Sequence, residues 1–395
     1  MKILHTSDWH LGQSFMGKTR EQEHQEFLTW LLETIKSSTI DTLIIAGDIF
    51  DTGTPPNYAL ELYYNFLIKL ATSTCKNIII TAGNHDSIAT LKAPKQLLAA
   101  LNIHVITSGD EDENEVIGIY NEDTLEGIIC AVPFLRDYVV RQSLSGEKLK
   151  DKEDALSQGI KEHYNAVYKQ ALELSQNKKI PIIATGHLTT VGAKTSESER
   201  DIYIGGTLDI DSNFFGKDFD YVALGHLHTN QKVGVEHIRY SGSPIPLSFS
   251  ESNNTKKVNI VTFDNNKALV HELEIPLYRP LLVLRGDVDT IIQAFENVTN
   301  KMSWIEVHLK DDNPFHSNQV TRQKAEELDL TVLAVKIDKV DQALSSQDFD
   351  VISLDELTPL EVFERRLEQD EIEDNTFQEA LITHFKMVGD EVKNA

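Results

Sequence analysis

Five times before residue 230, an apolar strand-like run ends directly in a short polar cluster. The clusters are Asp8-Trp9-His10, Gly47-Asp48-Ile49-Phe50-Asp51, Gly83-Asn84-His85-Asp86, Gly186-His187 and Gly225-His226-Leu227-His228. The runs ahead of them cover residues 3–5, 42–46, 77–81, 182–184 and 221–224, with a sixth at 238–240. Several are continuous in Ile, Val and Leu, which marks strands buried on both faces. Between them Phe27, Trp30, Leu31 and Ile35 recur at helical spacing, as do Leu62, Phe66 and Leu70. A further helix over 154–175 carries Tyr164, Val167, Ala171 and Leu174 on one face. Such alternation predicts a layered α/β domain. Ligand sites of these sheets gather beyond the carboxyl ends of the strands, so the five clusters are placed to converge.

Their side chains are carboxylates, imidazoles and one amide, with no thiolate. That donor set suits Mn²⁺, Fe²⁺ or Zn²⁺. Each cluster alone is weak, since a lone Gly-His is an ordinary loop and Asn-His-Asp an ordinary turn. The ordered set is specific: it uses five of the fourteen histidines, each cluster following a strand. The net charge of −25 argues against nucleic-acid contact by the chain alone, because phosphates need local positive charge. Bound divalent cations reverse the local field, so a metal-dependent phosphate enzyme passes this test. The two cysteines, Cys75 and Cys130, give no disulfide framework and read as buried small hydrophobes. No apolar run approaches the ~18 residues of a membrane span. The first residues lack a leader's apolar stretch, which predicts a cytoplasmic chain.

Together, D-x-H, G-D-x-x-D, G-N-H-D, G-H and G-H-x-H in this order resemble the calcineurin-like metallophosphoesterase superfamily. The words MKILHTSDWHLG at 1–12, GDIFD at 47–51, GNHD at 83–86 and YSGSPIPLSFSE at 240–251 narrow the likeness. They resemble the nuclease subunits that act with an SbcC-type ATPase in bacteria. The resemblance is sharp to about residue 275. It implies two central sheets flanked by helices, a small α/β capping domain and a C-terminal helical tail. It implies two divalent metal ions, with Mn²⁺ expected. Asp48 would bridge them; Asp8, His10 and His228 would complete the first site, and Asn84, His187 and His226 the second. His85 would contact the scissile phosphate and stabilise or protonate the leaving group, oriented by Asp51. The implied activity is 3′→5′ exonuclease on duplex ends and endonuclease on single strands and hairpins, in DNA repair, recombination and replication. The implied assembly is a homodimer of nuclease subunits within a heterotetramer.

Physical chemistry adds detail. Two metals about 3.5–4 Å apart clamp the attacking and leaving oxygens of an in-line displacement. His226 and His228 are two residues apart, so in extended backbone they point to opposite sides. They reach different metals only if the chain bends, and Gly225 is expected to permit that. Asp51 has a second reading, as the N-cap of a helix beginning near Thr54-Pro55-Pro56. Ser241-Gly242-Ser243-Pro244 reads either as a phosphate-holding loop or as a plain turn. Helices with Leu62, Tyr63, Phe66 and Leu70, and with Leu97, Leu98 and Leu101, carry more apolar surface than one stripe needs.

The predicted organisation is a metallophosphoesterase domain over 1–275, a capping domain over 276–340, a linker over 341–353 and a helical tail over 354–395. Residues 109–127 read as an exposed loop or hairpin. The capping domain reads as βαβαβ, with strands at 281–284, 304–309 and 332–337 and helices at 288–298 and 319–328. In the tail, Thr358-Pro359-Leu360-Glu361 is a capping box with Pro at the first helical position. Leu360, Phe363 and Leu367 form one stripe, and Phe377, Leu381, Phe385, Val388 and Val392 a second. Two such helices fit a partner's groove, and the resemblance implies that this partner is the ATPase, near its coiled-coil roots. The competing readings are a small-molecule phosphodiesterase or phosphomonoesterase, which needs neither cap nor tail, and a scaffold with a vestigial site, which the gap-free donor set opposes.

Overall fold

The structure is a computed structural model. It describes residues 1–337 apart from 111–112, 141–148, 177, 197, 200–201, 203–210 and 311–313. The expected linker and tail lie outside the described residues.

Two six-stranded sheets form the centre. The first runs, edge to edge, Lys267–Glu274, Lys257–Asp264, Lys2–Thr6, Thr42–Ala46, Asn77–Thr81 and Ile103–Ile106. Its last four strands are parallel. The second runs Gln231–Val233, Val235–Tyr240, Tyr221–Gly225, Ile182–His187, Thr124–Cys130 and Val116–Asn121, with its four inner strands parallel. The strands expected at 42–46 and 77–81 have those bounds, and the others lengthen by a few residues. Residues 116–130 form a hairpin that overlaps the exposed loop or hairpin expected at 109–127, but it extends to Cys130 and is not exposed as a whole, because Val116, Ile117, Ile119 and Leu125 are buried in the sheet.

Alternation along the strands explains the layers. Leu4, Leu43, Ile45, Ile78 and Ile80 pack under the helices Glu21–Ser37 and Asn57–Ala71, beside Phe27, Leu31, Tyr63 and Phe66. Their neighbours Ile3, Ile44, Ala46 and Ile79 point the other way, onto Ile129, Ile183, Tyr221 and Ala223 of the second sheet. The helix Leu149–Ser175 covers the outer face of that sheet through Leu156, Ile160, Tyr164 and Val167. The central strands are thus covered on both sides, and their apolar runs do not alternate with polar residues. Between the sheets, His5 contacts the Tyr221 hydroxyl through Nδ1 at 2.9 Å and accompanies the Leu224 carbonyl through Nε2 at 3.2 Å. Both cysteines are buried.

The third sheet is parallel, in the order Leu281–Gly286, Trp304–Leu309, Thr331–Ile337. The helices Val288–Glu296 and Pro314–Glu327 cross between its strands. It has its own core around Ile291, Phe295, Ile305 and Val307. Trp304 also stacks on Phe15, with ring centroids 5.5 Å apart. Among the described residues no helix is long and apolar enough to cross a membrane.

Candidate metal centre

The first two polar clusters run side by side off neighbouring parallel strands. Asp8 N–H donates to Gly47 O and His10 N–H to Asp48 O, each at 3.0 Å, and Leu11 N–H donates to Ile49 O at 2.9 Å. Trp9 turns the other way. It is fully buried edge-on to Phe27 and Phe66, so it anchors the loop in the helix layer while its neighbours face the site. Asp8, His10, Asp48 and His226 all have left-handed backbones, with φ of 54°, 46°, 50° and 95°. Such conformations cost of order 1–3 kcal/mol each in a non-glycine residue and persist only where the surroundings impose them. The bend expected at Gly225 is therefore made by His226 itself. Gly225 serves a different need: a Cβ there would collide with Ala46 O, across the two sheets. Gly47 and Gly83 are alike, since a Cβ on either would overlap His187 Nδ1 or Asp48 Oδ1.

The third cluster is stitched to the second. The Asp86 carboxylate accepts from the N–H groups of Ile49, Phe50 and Gly83, at 3.2, 3.0 and 2.8 Å. His85 N–H donates to Asp48 Oδ1 at 3.0 Å.

What converges is compact. Asp8, His10 and His228 present donor atoms within 4.8 Å of one another, as do Asp8, Asp48 and His187, and His10, Asp51 and His85. Asp48 Oδ2 lies 3.5 Å from His10 Nε2 and 3.2 Å from His187 Nε2. Asn84 Oδ1 lies 2.9 Å from His187 Nε2. His226 stands beside them, its ring centroid 5.4 Å from that of His187 and its N–H donating to Asp8 Oδ1 at 2.8 Å. Asp8, His10, Asp48, His187, His226 and His228 are all buried, whereas Asn84, His85 and Asp51 are partly exposed. The pocket thus has a closed floor and one open side.

Two buried carboxylates facing imidazoles are costly unless something charged completes them. Burial raises Asp8 above the usual carboxylate range. Burial acts the same way on Asp48, but His187 and His10 overcome it and hold that carboxyl well below the range. Burial would lower His187, yet Asp48 carries it up to about 9. Among the described residues, buried His10 Nε2 finds no hydrogen-bond partner. These donors fit divalent cations.

A further ring of groups orients the imidazoles. The Asp51 carboxylate takes His10 Nδ1 at 3.1 Å, while the Asp51 backbone carbonyl takes His85 Nδ1 at 2.8 Å. The Asp51 carboxylate thus backs His10 and its main-chain carbonyl backs His85, and the donor atoms of His10, Asp51 and His85 lie within 4.8 Å of one another. The N-cap reading fails, because the following helix, Asn57–Ala71, is capped at Pro56 without a side-chain bond. His228 Nδ1 meets Ser198 Oγ at 2.6 Å and Glu251 Oε1 at 3.5 Å, and its N–H donates to Glu199 at 2.7 Å. Lys256 donates to Glu251, to Ser243 Oγ and to His228 O. Ser241 and Ser243 are fully buried and bond to main-chain carbonyls, so their loop is a structural turn and not a phosphate-holding surface. Sequence reasoning assigned no role to Ser198, Glu199, Glu251, Lys256 or Asp86. Glu251 and Asp86 lay within the recognised words; Ser198 and Glu199 sit in a polar stretch with no periodic signal.

Carboxylates behind ligating histidines typically contribute 10–100-fold in metal affinity. Glu251→Gln is therefore expected to weaken Mn²⁺ binding by about that factor in titration calorimetry. Unchanged affinity with a lowered melting temperature would leave Glu251 only the role of pairing Lys256.

Residues 1–230 match the calcineurin-like phosphoesterase family, and residues 277–371 match the family described as type 5 capsule protein repressor C-terminal domain. A protein of Escherichia coli K12, named as the SbcD component of nuclease SbcCD, is 42% identical over 390 residues, covering 96% of this chain and 95% of its own. Proteins of the same name from Rhodobacter capsulatus and Bacillus subtilis are 33% and 31% identical, covering 72% and 78% of this chain and 71% and 79% of theirs. Motif order, two-sheet architecture and these likenesses agree: the chain belongs to the calcineurin-like phosphoesterases, within the branch formed by the SbcD components of the SbcCD nucleases.

Proposed function

We propose that this chain is the metal-dependent nuclease subunit of an SbcCD-type complex and hydrolyses DNA phosphodiester bonds with two divalent ions, Mn²⁺ in the first instance. The observation that carries this is the position of Asp48 Oδ2 between His10 Nε2 and His187 Nε2, one oxygen shared by two donor groups. Asp8, His10 and His228 would hold one ion, and Asn84, His187 and His226 the other, with Asp48 common to both. Such ions supply Lewis acidity toward the phosphate and a nucleophile at neutral pH.

The chain's residues do the rest. His187 Nδ1 is held by Ala46 O at 3.1 Å, which aims Nε2 toward Asp48. Asp51 fixes the tautomer of His10 in the same way. His85 sits on the open side with Nδ1 committed to the main chain, so Nε2 is the atom that gives a proton to the leaving oxygen. The buried floor keeps water away from the far side of the donors.

The partner in this reading is an SbcC-type ATPase, engaged through residues 354–395. Two nuclease subunits would pair within the heterotetramer; Leu97, Ile68 and Leu101, exposed by 77%, 59% and 47%, support an apolar contact there. The setting is the cytoplasm. The test is cleavage of labelled hairpin and blunt duplex in Mn²⁺, by the full chain and by a chain ending at residue 353, with and without the ATPase. The full chain should cut hairpins alone and process long duplex only with the ATPase and ATP. The shorter chain should keep the first activity and lose the second together with co-purification. No Mn²⁺-dependent cleavage of any DNA would overturn the nuclease reading, and retained ATPase binding would overturn the tail's role.

A further inference from the structure

The loop after the strand Thr124–Cys130 carries none of the five clusters, yet it runs beside the third cluster and His187. Phe134 N–H donates to Ala82 O at 2.8 Å, just before Gly83. Its ring stands edge-on to His187, with centroids 6.4 Å apart. Arg136 follows. Its guanidinium carbon lies 5.7 Å from the centre of the Phe134 ring, and Nη2 donates to the Asp86 carbonyl at 3.2 Å. A cation is thereby fixed against the turn that presents Asn84 and His85, and it is only partly buried.

Lys256 and Arg20, two further cations near the site, are consumed inside. Lys256 is 5% exposed and bound to Glu251, Ser243 and His228 O. Arg20 is fully buried on Glu23 and Pro246 O. Meanwhile the rim and floor hold Asp8, Asp48, Asp51 and Asp86, in a chain of net charge −25. Two divalent ions would offset these four carboxylates locally, but the strand on either side of them still meets a chain of net charge −25, so a cation fixed beside the ions adds to phosphate binding. Arginine carries five N–H donors in a planar fork that matches phosphate, and the bond to Asp86 uses one.

We propose that Arg136 binds a DNA phosphate next to the scissile one, holding the strand at the metal site; this rests on the nuclease reading above. The experiment measures binding of a labelled DNA hairpin to the full chain by fluorescence anisotropy over a salt series, with Ca²⁺ in place of Mn²⁺ so that the metal site stays filled while cleavage is suppressed. Arg136→Gln should weaken binding about tenfold or more. It should also flatten the slope of log K against log salt by about 1, since one phosphate contact is lost. Arg136→Lys keeps the charge and should keep the slope, with a smaller loss of affinity. A wild-type slope in Arg136→Gln overturns the proposal. So does an equal loss in both variants with a lowered melting temperature, which would make Arg136 a brace for the Asp86 turn. Mn²⁺-dependent hydrolysis of bis-p-nitrophenyl phosphate by the unmodified chain tests the metal reading separately. Its failure would remove that reading without touching the salt slope.

Discussion

An Asp48→Asn chain should fold and lose phosphodiester hydrolysis by more than about 10³-fold, because several kcal/mol of charge stabilisation depend on one shared carboxylate at about 1.4 kcal/mol per tenfold. Asn keeps the shape, and its carbonyl can still accept the His85 N–H that Asp48 Oδ1 accepts now. What it loses is the oxygen that faces His10 and His187 together. Two consequences can be read without turnover. Titration with Mn²⁺ should show both sites weakened. NMR titration in EDTA should show His187, which Asp48 carries up to about 9 against the effect of burial, returning toward or below its ordinary value. The sign follows from linkage. A histidine raised in the folded state contributes stability that is fully present below its unfolded pKa of about 6.5 and is lost as pH rises through the folded value. Wild type should therefore lose stability as pH rises through about 9, and the variant should lack that slope. Two ions bound at wild-type strength with near-normal turnover would overturn the shared role of Asp48.

The strands and most of the site were legible because both leave local signals. Strands buried on both faces read as unbroken Ile/Leu/Val, and their bounds at 42–46 and 77–81 needed no tertiary information. The donor residues were legible because each follows its strand within a few positions. Contacts set by tertiary approach were not. That His226 itself bends the chain, and that Gly225 instead makes room for Ala46 O, depends on how closely two sheets meet, which no spacing encodes. That Asp51 divides its work, carboxylate to His10 and carbonyl to His85, depends on two loops running in parallel after Leu11 pairs with Phe50. Glu251 and Ser198 reach His228 from segments 53 residues apart in sequence. Arg136 carried no motif at all; its place follows from a cation–ring contact and one bond to a carbonyl.

Replacing His85 with Gln should separate proton transfer from metal binding. The backbone N–H that reaches Asp48 is unchanged by the substitution, so the donors around Asp48 keep their arrangement and Mn²⁺ affinity should stay within a few-fold of wild type. Gln offers no titratable nitrogen where His85 Nε2 stands, and general acid–base contributions are typically 10²–10⁴-fold, so kcat on DNA should fall by about that factor. The leaving group decides whether the lost function is that of an acid. A sugar alkoxide needs a proton as the bond breaks, whereas p-nitrophenolate is stable without one. Hydrolysis of bis-p-nitrophenyl phosphate should therefore suffer much less than hydrolysis of DNA. The alkaline limb of the pH–rate profile, where a proton donor is lost, should disappear in the variant with DNA as substrate. Equal losses on both substrates would show that His85 stabilises charge on the phosphate and does not deliver the proton. A fall in metal occupancy parallel to activity would instead make His85 a ligand, consistent with its ring centroid lying 4.8 Å from that of His10.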